Sequence, residues 1–225
     1  MSRFLDKILE TPVFAFDQLG VLADVQSFLR FSEQNIDEQR QAILKTVNAE
    51  MAGINLEEPE WGSYRQHKIE SAEFRFNVAL PMRVRYAALT AFTSTVEWSM
   101  AVLRPSFDFP KRPKGSSLTA HCLRVFADRC DMDLASQIEC IEFLTWVRNS
   151  IMHNAGVLKG YRHEKDIRAI IGKFEPSFTI SNWHHIGETV EIRRNALEPL
   201  IEGWSETIRE LYTRATKRNL LVFEK

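Results

Sequence analysis

Hydrophobic positions repeat at helical spacing over most of the chain. Between Ser116 and Ala155 neither Gly nor Pro occurs. Within that stretch Leu118, Cys122, Val125 and Phe126 follow the i, i+4, i+7, i+8 pattern of one buried helix face. A turn is predicted at Asp131-Met132-Asp133. A second helix then begins at Leu134, sets Ile138, Ile141, Leu144, Val147 and Ile151 on its apolar side, and stops at Asn154-Ala155-Gly156. Asn and Gly there tolerate the left-handed backbone that ends helices. Two antiparallel helices are the simplest reading.

Upstream, residues Asp17 to Met51 predict one or two helices, the second opening near Asp37 with Ile43, Leu44, Val47 and Met51 on one side. Pro59 and Gly62 mark an acidic loop that begins at Leu56-Glu57-Glu58. Residues 64–104 read as a helix broken or kinked at Pro81, because proline lacks the amide donor and collides with the preceding turn. Its second half carries Val84, Ala88, Ala91, Phe92, Thr95, Ser99 and Val102, a stripe of mostly small residues that allows close helix approach. Pro105, Pro110, Pro113 and Gly115 mark a second loop, with Lys111, Arg112 and Lys114. Downstream, a short helix is expected around 163–173. Phe178 to Ser181 and Thr189 to Arg193 alternate about His184-His185-Ile186-Gly187, the pattern of a small hairpin. A last helix, Ala196 to Lys217, carries Leu197, Leu200, Ile201, Trp204, Ile208, Leu211 and Tyr212. The expected fold is mainly α, a helical bundle with a small β-hairpin. It is divided into an N-terminal helical extension (1–63) and a helical domain (64–225) that together read as one compact unit.

Composition narrows the function classes. The chain has 225 residues, 44% of them hydrophobic and 26% charged, which excludes global disorder. Only 9 Gly and 8 Pro are present, few for a many-stranded β fold. With 29 Lys+Arg against 30 Asp+Glu, the net charge of −1 provides no diffuse basic field, so any contact with nucleic acid must be local. Cys122, Cys130 and Cys140 form no CxxC pair and no even set. They read as small buried apolar residues of a reducing compartment. Charge at Arg3, Asp6 and Lys7 interrupts the N-terminus before an apolar run builds, and nothing approaches the roughly 18 apolar residues of a membrane span. A cytoplasmic protein is expected. GxxxxGK[ST], GxGxxG and GxSxG are all absent, so nucleotide hydrolysis, dinucleotide redox and serine-hydrolase chemistry lack their usual handles.

The polar residues of the 134–154 helix are placed oddly for a core element. At about 100° per residue, Asn149 and His153 lie about 40° apart, on a face shared with Glu142, while Arg148 lies about 140° from His153, beside the apolar stripe. A guanidinium starting on an apolar edge must reach a polar partner or snorkel. The three side chains are those that phosphodiester chemistry in RNA requires: an imidazole to move protons, a guanidinium to hold a phosphate, and an amide to orient either. One helix supplies one of each, whereas strand cleavage usually takes both an acid and a base; two copies facing each other supply both. A purely structural reading gives Arg148 an ion pair with a neighbouring helix, Asn149 a solvated face, and His153 the helix end.

The string Arg148-Asn149-x-x-x-His153, at the end of an apolar helix and followed by Asn154 and Gly156, resembles the signature of the HEPN superfamily (higher eukaryote and prokaryote nucleotide-binding domain). The resemblance covers residues 80–215. It implies a four-helix up-and-down bundle, commonly homodimeric, with the motif lining a cleft at the interface. It also implies a metal-independent, cofactor-free ribonuclease of toxin–antitoxin, phage-defence or RNA-processing type, with RNA as substrate and an antitoxin as one kind of protein partner. His153 is then the catalytic acid/base, Arg148 the phosphate contact and Asn149 the residue that positions them, and Glu97 resembles a supporting acidic residue of some members. The superfamily also includes non-catalytic modules that bind RNA, a nucleotide or a protein. Among local basic stretches, Lys159, Arg162 and His163 directly follow the motif and form the candidate RNA rim. His184-His185, with His121 and His163, is not expected to bind metal, since adjacent strand residues face opposite ways and no carboxylate or thiol cluster completes a site.

Overall fold

A computed structural model describes residues 16–52, 54, 58–103, 110–113, 117–183 and 186–220. The described chain is mainly helical with one two-stranded antiparallel sheet. Helices α1 (Phe16–Glu50), α2 (Pro59–Phe74) and α3 (Leu80–Leu103) precede α4 (Leu118–Cys130), α5 (Ala135–Asn154) and the short α6 (Glu164–Ile170), which continues as one 3₁₀ turn, Ile171–Phe174. Strands β1 (Phe178–Trp183) and β2 (Gly187–Ile192) and the terminal helix α7 (Leu197–Lys217) follow. The chain forms two compact units, residues 27–88 and the remainder, so α1 and α3 each contribute to both. The expected boundary at 63/64 falls inside α2 and inside the smaller unit.

In the smaller unit, Ile36, Ala72 and Phe76 form a buried cluster with Ile43, Leu44, Leu80 and Val84 packed against it. Arg40 of α1 forks onto Glu73 of α2, with Nη2 donating to Oε1 at 2.6 Å and Nε to Oε2 at 3.2 Å. A second pair, Arg85 Nε to Glu33 Oε1 at 2.6 Å, is mostly buried, with the side chains 13% and 10% exposed. α1 is one continuous helix, the first of the two alternatives expected for this stretch, with no second start at Asp37. Two local expectations are corrected here. Pro59 opens α2 instead of lying in a loop, and Gly62 is helical; Pro59 occupies a first-turn position, where its missing N–H has no intrahelical partner to lose. The irregularity assigned to Pro81 sits just before it, as a π-turn over Arg75–Ala79 in which the Leu80 N–H reaches back to the Arg75 carbonyl. Such a wide turn re-sets the hydrogen-bond register ahead of a residue that cannot donate.

In the larger unit the core is built from α3, α4, α5, α7 and the sheet: Phe92, Phe126, Phe143, Leu144, Phe178 and Tyr212 are fully buried. Phe143 of α5 stacks on Phe174 at 4.2 Å between ring centres and meets Phe178 of β1 edge-on at 5.2 Å. α4 opens with Ser117, whose hydroxyl accepts the Ala120 N–H, and ends with Asp131 in the left-handed region, φ 53°. The expected turn at Asp131 is therefore present. Two stripe positions differ from expectation: Ala91 and Val102 of α3 are exposed, while Val96, Met100 and Leu103 join Phe92 in the core. Leu118 is likewise exposed, at the first turn of α4. The hairpin pairs Phe178 with Ile192 through to Trp183 with Gly187 and turns inward Phe178, Val190 and Ile192. Its turn residues His184 and His185, like Leu56, Glu57, Pro105, Lys114 and Gly115, lie outside the described residues.

All three cysteines are free, Cys122 and Cys130 buried and Cys140 half-buried. Burial pushes the Cys140 thiol up to about 11, opposed by a hydrogen bond from Trp204. Alkylation of Cys140 by iodoacetamide at about pH 8 is therefore expected to run roughly 100-fold slower than that of a free thiol, measured by peptide mass spectrometry on the folded chain. Truncating Glu33 to Ala leaves the Arg85 guanidinium without its mostly buried carboxylate. It is expected to cost about 3 kcal/mol in urea unfolding, whereas replacing Arg85 and Glu33 together by Met costs much less.

Candidate functional site

α5 places the motif. Ile141, Leu144 and Val147 are fully buried, which fixes the rotation of the helix. Glu142, on the opposite side, accepts from Arg124 of α4 at 3.0 Å. Arg148 leaves the edge of the buried stripe and reaches Glu97 of α3: Nη1 donates to Oε2 at 2.9 Å and Nη2 to Oε1 at 3.1 Å. Its third nitrogen, Nε, donates to Asn149 Oδ1 at 3.2 Å. The Arg148 side chain is 17% exposed and that of Glu97 38%. This planar, two-pronged pairing is the strong form of an ion pair.

The end of α5 differs in detail from expectation. Asn154 stays helical, and the left-handed residues are Ala155 (φ 51°) and Gly156 (φ 82°). The Ala155 and Gly156 N–H groups both return to the Ser150 carbonyl. This arrangement satisfies the carbonyl end of the helix and reverses the chain. Asn154 then acts from inside the last turn, its Nδ2 donating to the carbonyls of Val157 (2.5 Å) and Lys159 (3.5 Å). Val157 pairs with Thr189 of β2 in an isolated antiparallel bridge, and Leu158 N–H donates to the Glu188 carbonyl at 2.9 Å. Gly160 turns with φ 77° and donates its N–H to Glu164 at 3.1 Å. His163 stacks on Trp146 of α5, 5.4 Å between ring centres, and its Nδ1 donates to Asp166 at 2.8 Å.

The returning loop and the end of α5 enclose an open cleft of about 420 Å³, lined by Asn149, His153, Asn154, Gly160, Tyr161 and Arg162. His153 is exposed and its ring makes no hydrogen bond among the described residues. The Tyr161 hydroxyl oxygen is buried. Burial raises that phenol above its ordinary value, while the charges of Arg162 and Arg148 act against the shift, so it stays a neutral hydroxyl near pH 7.

The candidate residues thus separate into groups. Asn149, His153 and Arg162 share the cleft. Arg148 and Glu97 are joined to each other, and Arg148 to Asn149. Lys159 is exposed but does not line the cleft, and His163 is held by Trp146 and Asp166. Tyr161, Asn154 and Trp146 were not singled out as site residues. The one sequence signal for Tyr161 is its place beside Gly160 in the basic stretch after the motif. Comparison with protein-family models, curated proteins and solved structures found no match to this chain. Among the described residues no three His, Cys, Asp or Glu side chains gather as a metal site, His121 being turned to the Pro110 carbonyl at 3.0 Å. No described helix is long and apolar enough to cross a membrane.

Removing the Asn154 amide frees two carbonyls of the cleft wall. Asn154→Ala is expected to lower local stability by about 1 kcal/mol. Amide hydrogen exchange of residues 157–161 should then be roughly fivefold faster, with Leu144 and Val147 in the helix interior unchanged.

Proposed function

We propose that this chain is a metal-independent RNA endonuclease of HEPN type, a homodimer that uses Arg148, Asn149 and His153 at its interface. The observation that carries the reading is the cleft itself. It presents an exposed imidazole beside an amide and a guanidinium, with Tyr161 in its wall, in a volume that accommodates a nucleotide. The segments of α3 from Leu89, α4, α5 and α7 are the helices we assign to the four-helix bundle of that superfamily, with residues 16–88 adding further helices.

The chemistry follows from the groups present. In RNA, the ribose 2′-hydroxyl loses its proton to a base and attacks the adjacent phosphorus. The P–O5′ bond breaks, and the departing 5′-oxygen takes a proton from an acid, leaving a 2′,3′-cyclic phosphate and a 5′-hydroxyl. One protomer offers one exposed imidazole in its cleft. A second copy supplies the other, so that one His153 acts as base and its counterpart as acid. Asn149, its oxygen fixed by Arg148, turns its amide donors to the phosphate oxygens, where negative charge develops. A cellular role as a toxin or phage-defence effector, opposed by an antitoxin, suits such an activity.

A second reading has one observation in its favour. The closure of Arg148 onto Glu97 makes the motif resemble a structural clasp, as in a non-catalytic module that binds RNA, a nucleotide or a protein. Incubation of purified chain with total cellular RNA in chelator separates the two. The nuclease predicts fragments ending in cyclic phosphate, with rates falling at least about 100-fold in His153→Ala. It also predicts that induced expression slows host growth and that the same substitution relieves this. RNA left intact by wild-type protein under all conditions, with binding retained, sinks the nuclease and leaves the module.

A further inference from the structure

We infer that Arg162 is the cation that holds the substrate phosphate in this cleft, and that Arg148 is a positioning residue acting through Asn149. The inference rests on the reading that an RNA phosphodiester occupies the cleft, and it assigns the contact to a different arginine from the one in the motif.

Arg148 is already committed. Both terminal nitrogens lie on the two oxygens of Glu97 and the third on Asn149. Its charge is matched by a carboxylate, and moving it to a phosphate would strand Glu97. Its visible effect on the cleft is indirect. With Oδ1 turned to accept from Arg148, the two Nδ2 donors of Asn149 point the other way, so the amide is set to meet an acceptor.

Arg162 is in the opposite position. It is exposed, lines the cleft with His153 and Asn149, and has no carboxylate partner among the described residues. This is notable because its loop is rich in acids, each of which is otherwise engaged. Glu164 is held by Arg168 and the Gly160 N–H, Asp166 by His163, and Glu188 by Arg168 at 2.6 Å. Arg168 takes two carboxylates, which leaves Arg162 unneutralised. The cleft therefore combines a guanidinium that no described carboxylate neutralises with the Asn149 donors, a lining suited to an oxyanion. The segment bearing Arg162 is also held in place, by the Asn154 amide, by the bond from Leu158 to β2 and by the His163–Trp146 stack.

The test uses the full chain and a short fluorescein-labelled oligoribonucleotide with 2′-O-methyl riboses, which binds but has no nucleophile. Anisotropy titrations between roughly 50 and 300 mM salt compare wild type, Arg162→Ala, Arg162→Lys and the charge-neutral double variant Glu97→Gln/Arg148→Gln. Arg162→Ala is expected to bind about tenfold more weakly, with the slope of log affinity against log salt smaller by about 0.7, the loss of one phosphate contact on a single strand. Arg162→Lys restores the slope. The double variant keeps the wild-type slope, and on unmodified RNA it lowers kcat with KM held, while Arg162→Ala raises KM. A wild-type slope in Arg162→Ala, or a slope reduced in the double variant, overturns the inference, as does a wild-type protein that does not bind the probe. Slope loss at Arg162 in a protein that never cuts RNA keeps the phosphate assignment and removes the nuclease. Cutting that is indifferent to Arg162 does the reverse.

Discussion

The Arg148 guanidinium is largely removed from water, and a charge so placed costs several kcal/mol unless a partner meets it with good geometry. The two oxygens of Glu97 do so. The requirement ties α5 to α3 at a set position along both helices, and it settles the orientation of the neighbouring amide, since Asn149 Oδ1 accepts from the remaining nitrogen, Nε. The cleft in turn depends on that helix register. A rotation of α5 sufficient to expose Arg148 would turn His153 and Asn149 away from the returning loop and drive Ile141 and Leu144 out of the core.

Charge in this molecule is balanced by pairing, and the balance is uneven. A formal net charge of −1 leaves little field overall. Yet many cations of the larger unit are matched with named partners: Arg124 with Glu142, Arg168 with Glu164 and Glu188, Lys173 with Glu139, Arg214 with Glu210. Against that background a guanidinium in a concave site that no described carboxylate neutralises stands out more than it would in a basic protein.

Much of the helical frame was legible because Gly and Pro punctuate it and the apolar stripes between them keep a helical period. The turn at Asp131, the hairpin strands and α7 all follow from such local signals. The π-turn before Pro81 was not legible in place. Proline announces a broken ladder but not which side of it absorbs the change. The unbroken length of α1 was one of two alternatives left open by Asp37, a residue that looks like a cap yet is tolerated on a helix surface. At the site, Asn149 and His153 were readable from spacing on one helix. The bond between Arg148 and Glu97 spans 51 residues of sequence, and the return of Tyr161 and Arg162 over the helix end depends on pairing with β2, so neither is encoded in any local period.

The bridge between Val157 and Thr189, with the Leu158 bond beside it, makes the cleft wall an extension of the sheet. A loop hung on one helix end has to surrender its conformational freedom when a ligand arrives, at about 1–2 kcal/mol for each residue ordered. Here that freedom is already lost when the chain folds, so a ligand meets a wall in its final shape and retains more of its contact energy as affinity.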